Sequence, residues 1–283
     1  VSPAGRWGRR IDLAWRWAPR FGVDALVARR TRLPGGARRV YLYHVRKTAG
    51  TALATAFMAL GGEDPAAVYA RLGPRPHVTR SGDRVYATYE AAVLRRGDYF
   101  FGWSHQPWWH LDLPGRTFTV TVLRDPVERV VSLYRYLADP ASDAGLPFPA
   151  PGSDRAWAAD GFGPFLDRLP PGTLCNQLYT FSRDLEPGEA AERIRATSLW
   201  FFTADFAAGL AELGRRLDLP LVPHRARVST PSGDGPTAAE RARLRRALEP
   251  EYELLARLRA RPGPGLVGAV PEEGAARRPA GGR

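Results

Sequence analysis

Apolar residues fall along the chain in short blocks, and polar helical stretches separate them. Residues 40–45 begin Val40-Tyr41-Leu42-Tyr43 and carry no charge until the loop that follows. Such a uniformly apolar run predicts a parallel strand covered on both faces. The next stretch, Ala52-Leu53-Ala54-Thr55-Ala56-Phe57-Met58, predicts a helix that runs to about Leu60 and stops at Gly61-Gly62. Thr79 to Tyr86 reads as a hairpin around Ser81-Gly82-Asp83, followed by a short helix near Glu90–Arg95. Further core strands are predicted at Tyr99–Trp103, Thr117–Leu123 and Leu199–Thr203, all rich in aromatic and β-branched residues.

Helix punctuation is equally clear. Asp125 is a good N-cap, Pro126 suits the first helical position, and Glu128 sits three residues on, so a helix continues to about Leu137. Short helices are predicted near 163–168, 173–181 and 187–196. Asp205 is expected to cap a helix to Leu217. Thr237-Ala238-Ala239-Glu240 is a capping box opening a last helix to about Arg261, kinked at Pro250. Residues 139–163, rich in Pro, Gly, Ala and Asp, read as a long, mobile surface loop of the kind that covers a site. Residues 218–236 read as irregular. From Pro262 the composition of Pro, Gly, Ala and Arg predicts disorder. Alternating strands and helices give an α/β fold with an open, mainly parallel sheet flanked by helices. The division expected is a basic extension over 1–39, one domain over 40–261 and a tail over 262–283.

Charge changes this picture at one end only. The formal charge is +12, and residues 1–39 hold ten Arg against Asp12 and Asp24. Basicity is therefore mostly an N-terminal property, and no nucleic-acid-binding face is expected on the domain. Trp7, Ile11, Trp15, Trp17, Phe21, Leu26 and Val27 lie among those arginines. A basic amphipathic helix around 10–29, interrupted by Pro19 and Gly22, would attach to an anionic membrane surface or an acidic partner. Alternatively it packs its tryptophans on the domain. The single cysteine, Cys175, permits no intramolecular disulfide, and the five histidines show no metal spacing, so no metal is expected. No apolar run reaches transmembrane length, and the N-terminus does not read as a secretory signal. The expectation is a soluble, cytoplasmic protein, peripheral at a membrane if the extension docks there.

Three loops lie at the carboxyl ends of predicted strands, where open α/β sheets bind ligands. The first is His44-Val45-Arg46-Lys47-Thr48-Ala49-Gly50-Thr51, and Lys47 is the only lysine among 41 basic side chains. A lysine, two threonines, small residues and a helix start together suit a phosphate or sulfate-like anion. The nucleoside-triphosphatase pattern is absent, because Lys47 precedes Gly50. The second loop is Ser104 to His110. The third is Arg124 to Arg129, with Ser132 two turns up the helix, so that Arg124 and Ser132 can share a second phosphate.

The first loop resembles the 5′-phosphosulfate-binding loop of PAPS-dependent sulfotransferases of the carbohydrate type, which includes heparan sulfate 2-O-sulfotransferase. The usual string there is His-Ile-Pro-Lys-Thr-Ala-Gly-Thr-Ser. Val122-Leu123-Arg124-Asp125-Pro126-Val127-Glu128-Arg129 through Ser132 and Tyr134 resembles that family's 3′-phosphate motif. The resemblance, to a bacterial member, spans about 40 to 260. It implies a P-loop-containing nucleotide-binding fold and transfer of a sulfuryl group from PAPS to a hydroxyl of a glycan or natural product. It also implies roles: Arg46, Lys47, Thr48, Ala49, Gly50 and Thr51 around the 5′-phosphate, Lys47 as the charge stabiliser, and Arg124 and Ser132 at the 3′-phosphate. Gly102-Trp103-Ser104-His105 resembles the segment with the catalytic base, which makes His105 the candidate. His44 is expected to be structural, and Asn176-Gln177 to lie near the site. Two departures stand out: Arg46 replaces the usual Pro, and Ala52 the usual Ser. Trp103, Trp108 and Trp109 either stack on the acceptor or pack internally. A P-loop kinase-like enzyme, or a non-catalytic binder of anions or nucleic acid built on the N-terminus, are the alternative readings.

Overall fold

A computed structural model describes residues 22–73, 77–143, 152–224, 235–263 and 265–268. Helix α1 covers 22–30. It is followed by β1 (Arg39–Tyr43), α2 (Gly50–Met58), α3 (Pro65–Arg71), β2 (Val78–Ser81), β3 (Arg84–Thr88), α4 (Ala91–Arg96), β4 (Phe101–Ser104), β5 (Thr117–Leu123) and α5 (Pro126–Ala138). Then come α6 (Gly152–Arg155), α7 (Phe162–Arg168), α8 (Pro171–Leu174), α9 (Asn176–Phe181), α10 (Pro187–Arg195), β6 (Leu199–Phe202), α11 (Phe206–Leu217), α12 (Ala238–Ala247), α13 (Glu249–Ala260) and β7 (Leu266–Val267). Among the described residues no helix is long and apolar enough to cross a membrane.

The strands form one seven-stranded sheet in the order β2-β3-β4-β1-β5-β6-β7. Only the β2–β3 hairpin is antiparallel. β1 occupies the centre, between β4 and β5. Its residues alternate between two cores, with Tyr41 and Tyr43 on one face and Val40 and Leu42 on the other. β6 does the same, with Trp200 and Phe202 opposite Leu199 and Phe201. This two-sided burial is why both strands, after Arg39 at the start of β1, carry large apolar or aromatic side chains and lack a polar alternation.

The helix starts follow their caps. Asp125 accepts from the Glu128 amide at 3.0 Å, with Pro126 in the first turn of α5. Thr237 and Glu240 exchange both bonds of the capping box, at 3.2 and 2.8 Å. The chain breaks at Leu248, between α12 and α13, and Pro250 sits in the first turn of the second helix.

Four expectations are corrected. Asp205 makes no side-chain cap, because its carboxylate lies against Gly268 at the end of β7. The loop over 139–163 holds α6 and short helical turns, pinned where Arg155 donates to Leu137 O (2.9 Å) and Asp139 O (3.1 Å). Its stretch 144–151 lies outside the described residues. The tail is not wholly unstructured, since Trp200 N donates to Gly265 O at 2.8 Å and Leu266 and Val267 add β7 beside β6. The rest of it, from 269, lies outside the described residues. First-strand pairing stops at Tyr43, because Val45 folds back to donate to the Tyr43 carbonyl at 3.2 Å. Of the helix expected over 10–29, only the part from residue 22 is described; it is helical and buries Ala25 and Ala28.

Gly209 of α11 lies so close to the Phe201 ring that a Cβ there would overlap it. Gly209→Ala should destabilise the protein by about 1–3 kcal/mol, read as a lower urea midpoint. A wild-type midpoint would show that α11 can move off β6 without cost.

Candidate anion-binding and transfer site

The register of the central strands places the three candidate loops side by side. Tyr43, the last residue of β1, pairs with Ser104 of β4 and with Thr121 of β5. The chain therefore leaves all three strands on one rim.

The first loop has a strained backbone. Lys47 (φ 66°) and Ala49 (φ 63°) are both left-handed without being glycine, which costs roughly 1–2 kcal/mol each. Three bonds hold this conformation. The buried Thr48 hydroxyl donates to the Val45 carbonyl at 2.9 Å. The Arg46 amide donates to Asn176 Oδ1 at 3.0 Å. Arg124 Nη1 donates to the Lys47 carbonyl at 3.3 Å. The departure at Arg46 acquires a reason here, because a proline would have no N–H to give Asn176. The Arg46 guanidinium is itself paired with Asp154 of α6 at 3.1 Å.

Two helix starts differ in what they offer an anion. α2 begins at Gly50 behind Ala49, which has no capping side chain. Its first-turn N–H groups lack intrahelical partners, and they add to the positive end of the helix. α5 already holds an anion, the Asp125 carboxylate. The second cationic position is thus a matter of side chains, with Arg124 half-buried at the end of β5 and Ser132 half-buried on α5. Tyr136 follows Ser132 by one turn on the same face, and Lys47 Nζ lies 4.2 Å from the centre of its ring. Arg155 approaches the same ring at 6.0 Å.

Gly50 has a packing role as well. A Cβ there would overlap the His44 imidazole. His44 in turn lies 4.4 Å, centroid to centroid, from His105. His105 Nδ1 is 2.6 Å from the His44 carbonyl oxygen. A carbonyl can only accept, so Nδ1 carries the proton and Nε2 holds the lone pair. Burial, with Arg46 nearby, lowers the His105 pKa to about 4. Burial also drives His44 well below the ordinary histidine value, reinforced by His105, Lys47 and Arg46. Both imidazoles are neutral near pH 7.

Beneath the rim lies a buried polar chain. The Arg124 amide donates to Gln177 Oε1 at 2.8 Å. Gln177 donates to both oxygens of Glu251, from its amide at 2.7 Å and from Nε2 at 3.0 Å. Glu251 pairs with Arg129 at 3.7 Å, both side chains being fully buried. Arg129 also donates to the Thr173 and Leu174 carbonyls. Tyr252 reinforces this from α13, donating to Asp125 Oδ2 at 3.1 Å.

The structure thus brings Arg46, Lys47, Thr48, Ala49, Gly50, Arg124 and His105 together, and Ser132 stands one helical turn from the ring under Lys47. Thr51 is exposed in the first turn of α2. Thr48 shapes the loop through its side chain, whose single hydroxyl proton goes to the Val45 carbonyl. The tryptophans pack internally. Trp103 is in the core, Trp108 stacks on Tyr43 at 5.0 Å, and Trp109 Nε1 donates to the Tyr179 carbonyl at 3.2 Å. Glu251, Asp154 and Tyr136 were not read from the sequence. Tyr136 had a usable signal, its i+4 spacing from Ser132, whereas Glu251 is one of three glutamates over residues 249–253 with nothing local to single it out. No protein-family model matches the chain, and no curated protein matches it in sequence.

Glu251→Ala should cost about 3–5 kcal/mol, because it strands the buried Arg129 charge. Chemical denaturation measures this, and a loss below 1 kcal/mol would show that water reaches the pair. A second expectation concerns pH. The unfolded chain protonates its histidines near 6.5, whereas folded His105 resists until about 4. Stability is therefore full above 6.5 and declines as pH falls from 6.5 toward 4. His105→Gln should lessen that decline in melting temperature, the remainder coming from His44, and an unchanged slope would refute the neutral His105 imidazole.

Proposed function

We propose that the chain is a PAPS-dependent sulfotransferase on a P-loop-type nucleotide-binding fold, transferring a sulfuryl group to a hydroxyl of a carbohydrate or other small-molecule acceptor. The observation that carries this reading is the contact of Arg124 with the Lys47 carbonyl, because it joins two separate cationic loops into one site for a ligand with two anionic groups. The uncapped start of α2 suits one of those groups, and Arg124 with Ser132 suits the other. The resemblance in the two loop motifs supplies the identity of the donor.

When bound, the donor supplies a sulfuryl group linked to its 5′-phosphate. The first-turn N–H groups over Gly50 and Thr51 hold that phosphate, and Lys47 Nζ moves from the Tyr136 ring to meet it. A compact ammonium there stabilises negative charge on the phosphate side as the sulfur–oxygen bond breaks. Arg124 and Ser132 fix the opposite end of the donor, which sets the line of approach. His105 Nε2 takes the acceptor's hydroxyl proton as the new oxygen–sulfur bond forms. Its tautomer is set by the His44 carbonyl, so the lone pair is available without a prior proton loss. An imidazole with a pKa of about 4 is a weak base, and the two negative charges of a bound donor would raise it toward the working range.

Calorimetry with adenosine 3′,5′-bisphosphate tests the reading. The wild type should bind it without added metal, and Lys47→Ala should weaken binding about 10- to 100-fold. In a transfer assay Lys47→Ala should lower turnover about 10²- to 10³-fold. Preference for ATP with magnesium over the bisphosphate would favour a kinase-like enzyme, and wild-type turnover in Lys47→Ala would remove the mechanism.

A further inference from the structure

At the opposite end of the sheet, arginines crowd together. Arg38 precedes β1, Arg39 opens it, and Arg116 precedes β5, so they mark the amino ends of the central strands. Arg29, Arg30 and Arg32 come from the end of α1 and the turn after it. Arg38 Nη1 and Arg32 Nη1 both reach the Arg29 carbonyl, at 3.2 and 2.7 Å, which ties the two groups into one surface. Repulsion from Arg32, Arg116 and Arg39, together with burial, pulls the Arg38 pKa down, though a guanidinium so shifted remains charged. Among the described residues the one carboxylate ion-paired with any of these six arginines is Asp98, 3.0 Å from Arg29. It is shared with Arg96 at 2.9 Å.

Next to this charge lie two exposed aliphatic side chains. α1 buries Ala25 and Ala28 and exposes Val23 (51%) and Leu26 (61%). Val23, Leu26 and Arg30 follow the i, i+3, i+7 spacing of one helix face. Of the described residues, only Val222 is another large hydrophobic side chain so exposed. Directly preceding α1, residues 1–21 add Arg6, Arg9, Arg10, Arg16 and Arg20 with Trp7, Trp15, Trp17 and Phe21.

We infer that this face, α1 with the arginines at the amino ends of β1 and β5, docks the protein on an anionic lipid surface. Charge complementarity selects a negative partner, since the arginines outnumber their carboxylates. The aliphatic pair distinguishes a bilayer from a soluble polyanion, because Val23 and Leu26 gain only where there is an apolar layer to enter. The tryptophans and arginines of 1–21 are the residue types that settle at a lipid interface. The face lies at the amino ends of the parallel strands and the transfer site at their carboxyl ends. A docked molecule would therefore keep its donor loop turned away from the lipid. The docking itself does not depend on the transferase reading; only the orientation of the donor loop rests on it.

Vesicle co-sedimentation of the full chain, with phosphatidylcholine alone and with added phosphatidylglycerol, is the test. The chain should bind the anionic vesicles and release as salt rises. Arg32→Gln with Arg116→Gln should weaken binding about 25-fold, from roughly fivefold per charge, and Leu26→Ser should weaken it severalfold. A wild-type melting temperature in these variants shows that they fold. Equal binding to neutral vesicles, or undiminished binding by the arginine double variant, would overturn the proposal. Binding to heparin or single-stranded DNA without binding to anionic vesicles would overturn it in favour of a polyanion partner.

Discussion

The site depends on a six-residue loop held in a conformation its own residues disfavour. Lys47 and Ala49 are left-handed, and nothing within the stretch forces them to be. What holds them is supplied by distant parts of the chain: Asn176 on the Arg46 amide, and Arg124 on the Lys47 carbonyl. Only the Thr48 to Val45 bond is local. Such strain persists where the surroundings over-determine it, and that is usual at ligand-binding loops. Here the over-determination comes from α9 and β5.

The buried chain from Arg129 through Glu251 and Gln177 to the Arg124 amide extends the same logic. Desolvating an arginine and a glutamate is expensive, and an apolar replacement of both would often be no less stable. What the pair supplies is position. Glu251 fixes Gln177, Gln177 fixes the backbone at Arg124, and Arg124 fixes the loop that carries Lys47. The C-terminal helix α13 thereby reaches a loop 200 residues earlier in the chain. The paired histidines follow the same pattern, since one backbone carbonyl sets the tautomer of His105.

The protein also separates its charges by end. Cations at the carboxyl ends of the strands are tied to side chains and backbone of the site, Arg46 by Asp154, Lys47 by Tyr136 and Arg124 by a carbonyl. Those at the amino ends are held by backbone carbonyls but crowd one another, with one ion-paired carboxylate among the described residues. The first arrangement shapes a site before its ligand arrives. The second leaves net positive charge at a surface that gains by meeting diffuse negative charge.

Much of this architecture was legible in local pattern. The apolar run at Val40-Tyr41-Leu42-Tyr43 announced a sheet covered on both faces, and the Asp125-Pro126 and Thr237–Glu240 starts were placed correctly, because caps and strand periodicity are set by neighbours in sequence. That the three loops share one rim followed from the alternation of strands and helices; that they lie side by side was decided by the sheet order, β1 between β4 and β5. The reach of the tail was not legible, since Leu266 and Val267 become a strand only where β6 offers an open edge. Neither was the part played by Glu251, one glutamate among three nearby, nor the turning inward of the Thr48 hydroxyl and the tryptophans. Residue types and spacing select the chemistry that a stretch can perform. Which of those groups faces the ligand is decided by contacts between residues 61 to 130 positions apart, and that information exists only once the chain has packed.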